Sequence, residues 1–139
     1  MGQAQVTWVQ HEQFVGTDST NHSVVLSTGQ DGTGAKPSEM LLVALGACSA
    51  VDVVGILTKK RLKFTGLQVK INGQQDADPP WAYRKIHLEY VVRGQGIPDK
   101  AVQQAIELSE EKYCSVAATV RGVAEITCSY KIVEDSSDN

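Results

Sequence analysis

The fold is decided by residues 37–61, PSEMLLVALGACSAVDVVGILTKKR. Between Glu39 and the terminal Lys-Lys-Arg this stretch is almost entirely apolar or small, and Asp52 is its only charge. Pro37 and Glu39 are typical of the first turn of a helix, and the three cations suit a helix C-terminus. The stretch therefore predicts one long helix from Pro37 to about Arg61.

An apolar helix of this length has two explanations. A membrane span needs about 20 apolar residues, but Asp52 would cost roughly 3 kcal/mol in lipid, and no aromatic belt flanks the stretch. A helix surrounded by protein fits better. A chain of 139 residues covers one face of such a helix more easily than every face. The small residues of the helix permit close approach of a second copy of the chain. We therefore expect a homodimer, and we expect no association with a membrane.

The rest of the chain alternates between strand and helix patterns. An amphipathic helix begins at Pro98-Asp99, and a short helix over 115–121 ends at Gly122. The apolar stripe of the amphipathic helix is Val102, Ala105, Ile106, Ser109 and Tyr113. Strands are predicted over 4–10, 13–16, 23–27, 66–75, 83–93 and 123–133, the fourth and fifth forming a hairpin. With no repeat and no linker, residues 1–139 predict a single α+β domain.

Composition excludes several classes of protein. Thirteen Lys and Arg against 16 Asp and Glu give a net charge of −3, and the chain lacks the basic patch that nucleic-acid binding needs. No signal peptide is visible at the N-terminus. Three cysteines in such a chain predict reduced thiols in the cytoplasm. Their spacing indicates no zinc site, and the glycines at 29–34 do not form a phosphate-binding motif, so we expect no metal and no cofactor.

The cysteines are the candidates for chemistry. Cys48 lies in mid-helix, either as a small buried hydrophobic residue or as a reactive thiol. Asp52 lies one turn later and would raise the pKa of the Cys48 thiol. A reactive Cys48 therefore needs a group from another segment that stabilises its thiolate. Cys114 lies at a helix junction, either half-buried or with its thiolate stabilised by the short helix that follows. Cys128 is predicted to fill the core from the last strand.

Two motifs resemble the OsmC-like family, which includes the organic hydroperoxide resistance proteins. KPSEMLLVALGACSA at 36–50 is similar to the first cysteine motif of the family, and EKYCSVA at 111–117 is similar to the second. The order of strands, long helix, hairpin, helix and final strand is similar along essentially the whole chain. The resemblance implies an α+β fold with antiparallel sheets packed on a long central helix, in an intertwined homodimer whose active sites lie at the subunit interface.

The same resemblance implies a redox cycle. Cys48 would be the peroxidatic thiol, which attacks a peroxide oxygen and becomes a sulfenic acid, and Cys114 would be the resolving thiol that forms the disulfide. An external thiol would then reduce that disulfide. Glu39 and Asp52 are the candidate supporting residues.

Three positions differ from the pattern of the family's peroxidases. Ser38 replaces the glutamate that directly follows the proline, with Glu39 one step late; the first arginine is Arg61 rather than one in an early loop; and Ser115 replaces the proline after the second cysteine. These differences indicate a divergent branch. The leading hypothesis is a thiol-dependent reductase of organic or hydrogen peroxide in the oxidative stress response. The alternatives are a dimer that binds a small hydrophobic ligand without catalysis, and a redox sensor.

Overall fold

The computed structural model describes residues 2–29 and 32–135. The chain divides into two compact units, the first ending at Leu41 and the second beginning at Leu42. The prediction of one domain over 1–139 remains a prediction. The helices and strands are β1 (Ala4–Gln10), β2 (Gln13–Asp18), β3 (Ser23–Ser27), α1 (Pro37–Lys59), β4 (Phe64–Gln75), β5 (Tyr83–Gly94), α2 (Asp99–Leu108), a π-helical turn (Ser109–Tyr113), α3 (Ser115–Val120) and β6 (Glu125–Glu134).

The first unit contains an antiparallel sheet in the order β1-β2-β3. Trp8 of β1 lies opposite Phe14 of β2, and Phe14 lies opposite Leu26 of β3. The predicted strands are all present, and β2 extends two residues beyond the predicted end at Gly16. Trp8 is largely exposed, as are most of the other residues of β1.

Helix α1 begins at Pro37, as predicted, and ends at Lys59 rather than Arg61. The chain turns at Arg61, whose φ is 59°. Among the described residues, α1 is the helix that is long and apolar enough to cross a membrane, and 28% of that stretch is buried. Its buried side includes Leu45, Ser49, Val53 and Leu57, four residues apart in each case. This spacing places them on one face of the helix.

The second unit contains a sheet in the order β4-β5-β6. The predicted hairpin of β4 and β5 is confirmed, with Ile71 opposite Leu88 and Val69 opposite Tyr90. One strand pair departs from the expected antiparallel arrangement, because β6 pairs with β5 in parallel. A parallel neighbour needs a crossover connection of a dozen or more residues. Here that connection is made by α2, the π-helical turn and α3, in residues 95–124.

The amphipathic helix is shorter than predicted. Val102, Ala105 and Ile106 are buried as expected, and so is Ser109. The chain then winds into the π-helical turn, in which the Cys114 N–H donates to the Ser109 carbonyl oxygen at 2.8 Å. The wider turn rotates the following residues off the helical stripe. Tyr113 is therefore exposed rather than buried.

The core of the second unit lies between α1, α2, α3 and one face of the sheet. It is formed by Leu45, Val53, Leu57, Ile86, Leu88, Tyr90, Val92, Ile97, Ala101, Val102, Ala105, Ile106, Cys114, Ala117 and Ala124. Cys128 does not belong to it, and the prediction that this residue fills the core is wrong, because Cys128 is exposed. Cys128 lies on β6, an edge strand of the sheet, opposite Leu88 of β5.

Candidate functional site

Helix α1 lies close to the sheet at Gly46, two residues before Cys48. A Cβ on Gly46 would lie 2.5 Å from Cδ1 of Ile71 on β4, so the glycine permits α1 to approach the strand closely. Cys48 itself is half-buried. Its Sγ lies 4.0 Å from Oγ of Ser115, the first residue of α3. The structure therefore brings together the two predicted cysteine motifs, which are far apart in the sequence.

The polar groups around Cys48 favour its thiolate. Desolvation acts to raise the pKa of Cys48, but the polar groups of segment 114–116 outweigh it. These groups are the Val116 N–H, the Cys114 thiol, the Ser115 hydroxyl and the Ser115 N–H. The pKa of Cys48 is therefore held below its ordinary value by segment 114–116. The causes that lower this pKa are backbone N–H groups and hydroxyl or thiol donors of the described residues.

Cys114 has the opposite character. Burial raises the pKa of Cys114 to about 11, and the neighbouring Cys48 and the charge of Glu110 act in the same direction. The Ala117 N–H donates to Cys114 Sγ at 3.4 Å, which lowers the pKa but does not reverse the shift. The expected stabilisation of a thiolate by α3 is thus found mainly at Cys48. The pair is asymmetric: its surroundings favour the thiolate form at Cys48 and the protonated thiol at Cys114.

A chain of buried hydroxyl groups lies behind the thiols. Ser49, Tyr90 and Ser109 are each fully buried. Ser49 Oγ lies 2.5 Å from Tyr90 Oη and 2.9 Å from Ser109 Oγ, and Ser109 Oγ lies 2.9 Å from Oδ2 of Asp52. Asp52, expected to act on Cys48, thus accepts a hydrogen bond from Ser109. Burial raises the pKa of Tyr90 well above its ordinary value, so its phenol remains protonated.

Glu110 lies at the other end of this chain. Its Oε1 is 3.4 Å from Tyr90 Oη, and its Oε2 forms an ion pair with Arg121 at 3.3 Å. Desolvation and the charge of Glu110 raise the pKa of the Cys128 thiol to about 12, so Cys128 is a poor nucleophile at neutral pH. The Cys128 residue as a whole is exposed, but neighbouring atoms surround its thiol closely enough for desolvation to be the largest cause of this shift.

The remaining predicted site residue is Glu39, which lies exposed in the first turn of α1, in the unit that ends at Leu41. Its supporting role remains a prediction. Residues 2–29 and 32–135 contain no group of three His, Cys, Asp or Glu side chains that could hold a metal ion.

The sequence did not reveal the polar surroundings of the thiols: Ser49, Tyr90, Ser109, Glu110, Arg121 and the N–H groups of 115 and 116. One signal was visible, since Ser109 is a polar residue on an otherwise apolar helical stripe. A polar group in that position must find a partner when it is buried.

Comparison with known proteins agrees with the two cysteine motifs. The sequence model described as OsmC-like protein matches residues 29–129. Protein YhfA of Escherichia coli strain K12 is 37% identical over 131 residues, which covers 94% of this chain and 98% of that protein. The chain belongs to the OsmC-like family. The family assignment of the sequence analysis is thereby confirmed.

Solved structures of the same fold include relatives at very different distances. A hypothetical protein from Aquifex aeolicus is 30% identical, with a TM-score of 0.87 over 98% of each chain. An organic hydroperoxide resistance protein, OsmC, from Legionella pneumophila is 12% identical, with a TM-score of 0.68 over 94% of this chain and 96% of that one. The Legionella pneumophila protein shares the fold of this chain. Family membership favours a protein-packed α1 over a membrane-spanning one.

Proposed function

We propose that this OsmC-like protein is a thiol-dependent peroxidase that reduces organic or hydrogen peroxide with Cys48 as the attacking thiol and Cys114 as the resolving thiol. The single observation that supports it is the asymmetric pair. Cys48 Sγ lies 4.0 Å from Ser115 Oγ, and the polar groups of segment 114–116 lower the pKa of Cys48, while the pKa of Cys114 is raised to about 11. A thiolate beside a protonated thiol provides the nucleophile and the resolving group in one place.

The reaction proceeds in two steps. The Cys48 thiolate attacks one peroxide oxygen; the O–O bond breaks, the departing oxygen takes a proton to become an alcohol or water, and Cys48 becomes a sulfenic acid. The Cys114 sulfur then attacks Cys48 Sγ, forming the S–S bond while the sulfenic hydroxyl leaves with the Cys114 proton as water. Two equivalents of an external thiol return the pair to its reduced state and are themselves oxidised to a disulfide.

The proposal includes a homodimer in the cytoplasm, acting in the oxidative stress response. A row of apolar residues on α1 faces away from the core, and Val43, Val51 and Val54 are 54%, 71% and 38% exposed. Apolar surface on one helix face is typical of a protein interface. Named neighbours of the same fold include organic hydroperoxide resistance proteins. The three cysteines are free, which suits a reducing compartment. Glu39 and Asp52 are proposed as supporting residues.

The test is peptide mass spectrometry after treatment with tert-butyl hydroperoxide or hydrogen peroxide. We expect a Cys48–Cys114 disulfide, a trappable Cys48 sulfenic acid in Cys114→Ser, and neither product in Cys48→Ser. The matched control is Cys128→Ser, which should behave as the unchanged chain does. Sustained peroxide consumption with a dithiol reductant separates an enzyme from a sensor that is oxidised once. Consumption equal to a buffer blank, with Cys48 still reduced, would refute the proposal.

A further inference from the structure

Ser109 connects the two cysteine-bearing segments by contacts that do not involve sulfur. Its hydroxyl reaches Ser49 and Asp52, both on α1, at 2.9 Å each. Its carbonyl oxygen accepts the Cys114 N–H at 2.8 Å. Cys48 directly precedes Ser49 in the same helix. One residue therefore binds the helix that carries the first thiol and the backbone that carries the second.

The hydroxyl of Ser109 carries one proton and has two oxygen neighbours. The Ser109 hydroxyl is directed as a donor at both oxygens, Ser49 Oγ and Asp52 Oδ2. When it donates to the ionised Asp52 carboxylate, which can only accept, the hydrogen bond is charge-assisted. Ser49 Oγ in turn lies 2.5 Å from the Tyr90 phenol. All three hydroxyl groups are fully buried. A buried hydrogen bond of this kind has no water to replace it when it is lost.

The Ser109 contacts lie at the start of the π-helical turn that leads to Cys114. Residues 109–113 close a wider turn than an α-helix does, and π-helical turns are rare single insertions that often lie at functional sites. The turn ends at Cys114, which is extended, with φ −79° and ψ 105°. Ser109 is the residue at which the turn begins, so its contacts on α1 fix the start of the segment that delivers Cys114.

We propose that Ser109 is a positioning residue for the Cys48–Cys114 pair: through its hydroxyl on α1 and its carbonyl on Cys114, it sets the placement of Cys114 Sγ against Cys48 Sγ. The inference rests on the proposed thiol chemistry of these two residues. Disulfide formation between held thiols depends on their effective concentration, which falls steeply when a reacting group is displaced. Ser109 and its Asp52 acceptor therefore determine how readily the disulfide forms.

The experiment measures the dithiol–disulfide equilibrium of the full chain in glutathione buffers, by mass spectrometry of the Cys48–Cys114 disulfide. We expect Ser109→Ala to lower the effective concentration of the pair by roughly tenfold. Asp52→Ala should lower it in the same direction, whereas Asp52→Asn, which keeps an accepting oxygen, should stay near the unchanged chain. The matched control is Ser129→Ala, which removes a β6 hydroxyl that contacts His87 at 2.8 Å.

The outcomes separate positioning from general structure and from the proposed function. The inference would be overturned if Ser129→Ala lowered the effective concentration as much as Ser109→Ala, or if Ser109→Ala did not lower it. It would also be overturned if the protein without substitutions formed no disulfide in these buffers. If Ser109→Ala does not fold, the difference between Asp52→Ala and Asp52→Asn decides. In this experiment glutathione takes the place of peroxide. If Ser109→Ala lowers the effective concentration of the thiol pair and the protein does not reduce peroxide, the result supports positioning and refutes the peroxidase proposal. If peroxide drives disulfide formation but Ser109→Ala leaves the effective concentration unchanged, the result supports the peroxidase proposal and refutes positioning.

Discussion

The change Ser115→Pro tests which groups lower the pKa of Cys48. Proline lacks a backbone N–H, so the change removes one of the donors to the Cys48 sulfur. The backbone accepts it: Ser115 is the first residue of α3, where proline is favoured, and Cys114 before it is already extended, with φ −79° and ψ 105°. The matched control is Ser115→Ala, which loses the same hydroxyl and keeps the N–H.

The size of the effect follows from the hydrogen bond that is lost. A hydrogen bond to a charged group contributes about 1.5–3 kcal/mol, and one pKa unit corresponds to about 1.4 kcal/mol. Cys48 is half-buried, so water replaces part of the donor and the smaller value applies. We expect the pKa of Cys48 in Ser115→Pro to lie about one unit above that in Ser115→Ala. At a pH below both values, Ser115→Pro would then have about one tenth of the thiolate.

The assay is the rate of iodoacetamide alkylation of Cys48 against pH, followed by peptide mass spectrometry in each variant. Cys114 and Cys128 serve as internal references, since the pKa values of about 11 and about 12 keep both slow at neutral pH. Equal alkylation midpoints in Ser115→Pro and Ser115→Ala would show that the Ser115 N–H does not stabilise the thiolate. A midpoint in both variants at the ordinary value of about 8.5 would refute the role of segment 114–116 altogether.

Two further predictions concern stability and assembly. The pKa of Cys114 is raised from 9.0 to about 11, so its contribution to folding is fully present below pH 9.0 and is lost as the pH rises towards 11; at about 1.4 kcal/mol per unit this amounts to about 3 kcal/mol. Urea unfolding between these pH values should show a smaller loss in Cys114→Ser, and equal losses would contradict the assignment. The change Val51→Asp places a charge on the uncovered face of α1 and should raise the dissociation constant of the homodimer by at least about 100-fold in light scattering, because buried unpaired carboxylates cost several kcal/mol. Val123→Asp, on a residue that is 58% exposed and lies outside α1, is the matched control, and an equal effect of the two changes would refute an interface at α1.

Much of the fold could be predicted because it depends on local pattern. The long run of apolar and small residues determines α1, and the alternation in β4 and β5 determines the hairpin. The parallel placement of β6 could not be predicted, because alternation along one strand does not say which strand lies beside it or in which direction. The π-helical turn was hidden for a related reason, since the stripe that ends at Tyr113 fits an ordinary helix equally well.

The candidate site was predictable as a pair of cysteines and no further. Cys48 and Cys114 stand in recognisable motifs. The N–H groups that lower the pKa of Cys48 belong to the backbone, and side-chain sequence does not reveal where a backbone donor points. Ser49 and Tyr90 meet across 41 positions of the chain, and no periodicity connects them. The exposure of Cys128 likewise depends on what covers an edge strand, which the alternation of β6 does not specify.

The parallel pairing of β5 and β6 has a consequence for how this molecule tolerates insertions and deletions. Both ends of segment 95–124 are tied to adjacent strands whose register is continuous from Lys85 opposite Glu125 to Gly94 opposite Glu134. A residue added or removed between Cys114 and β6 must therefore be accommodated within segment 95–124, or the whole of β6 must shift its register against β5. Length variation should be better tolerated at the β4–β5 hairpin turn, residues 76–82, than in the crossover.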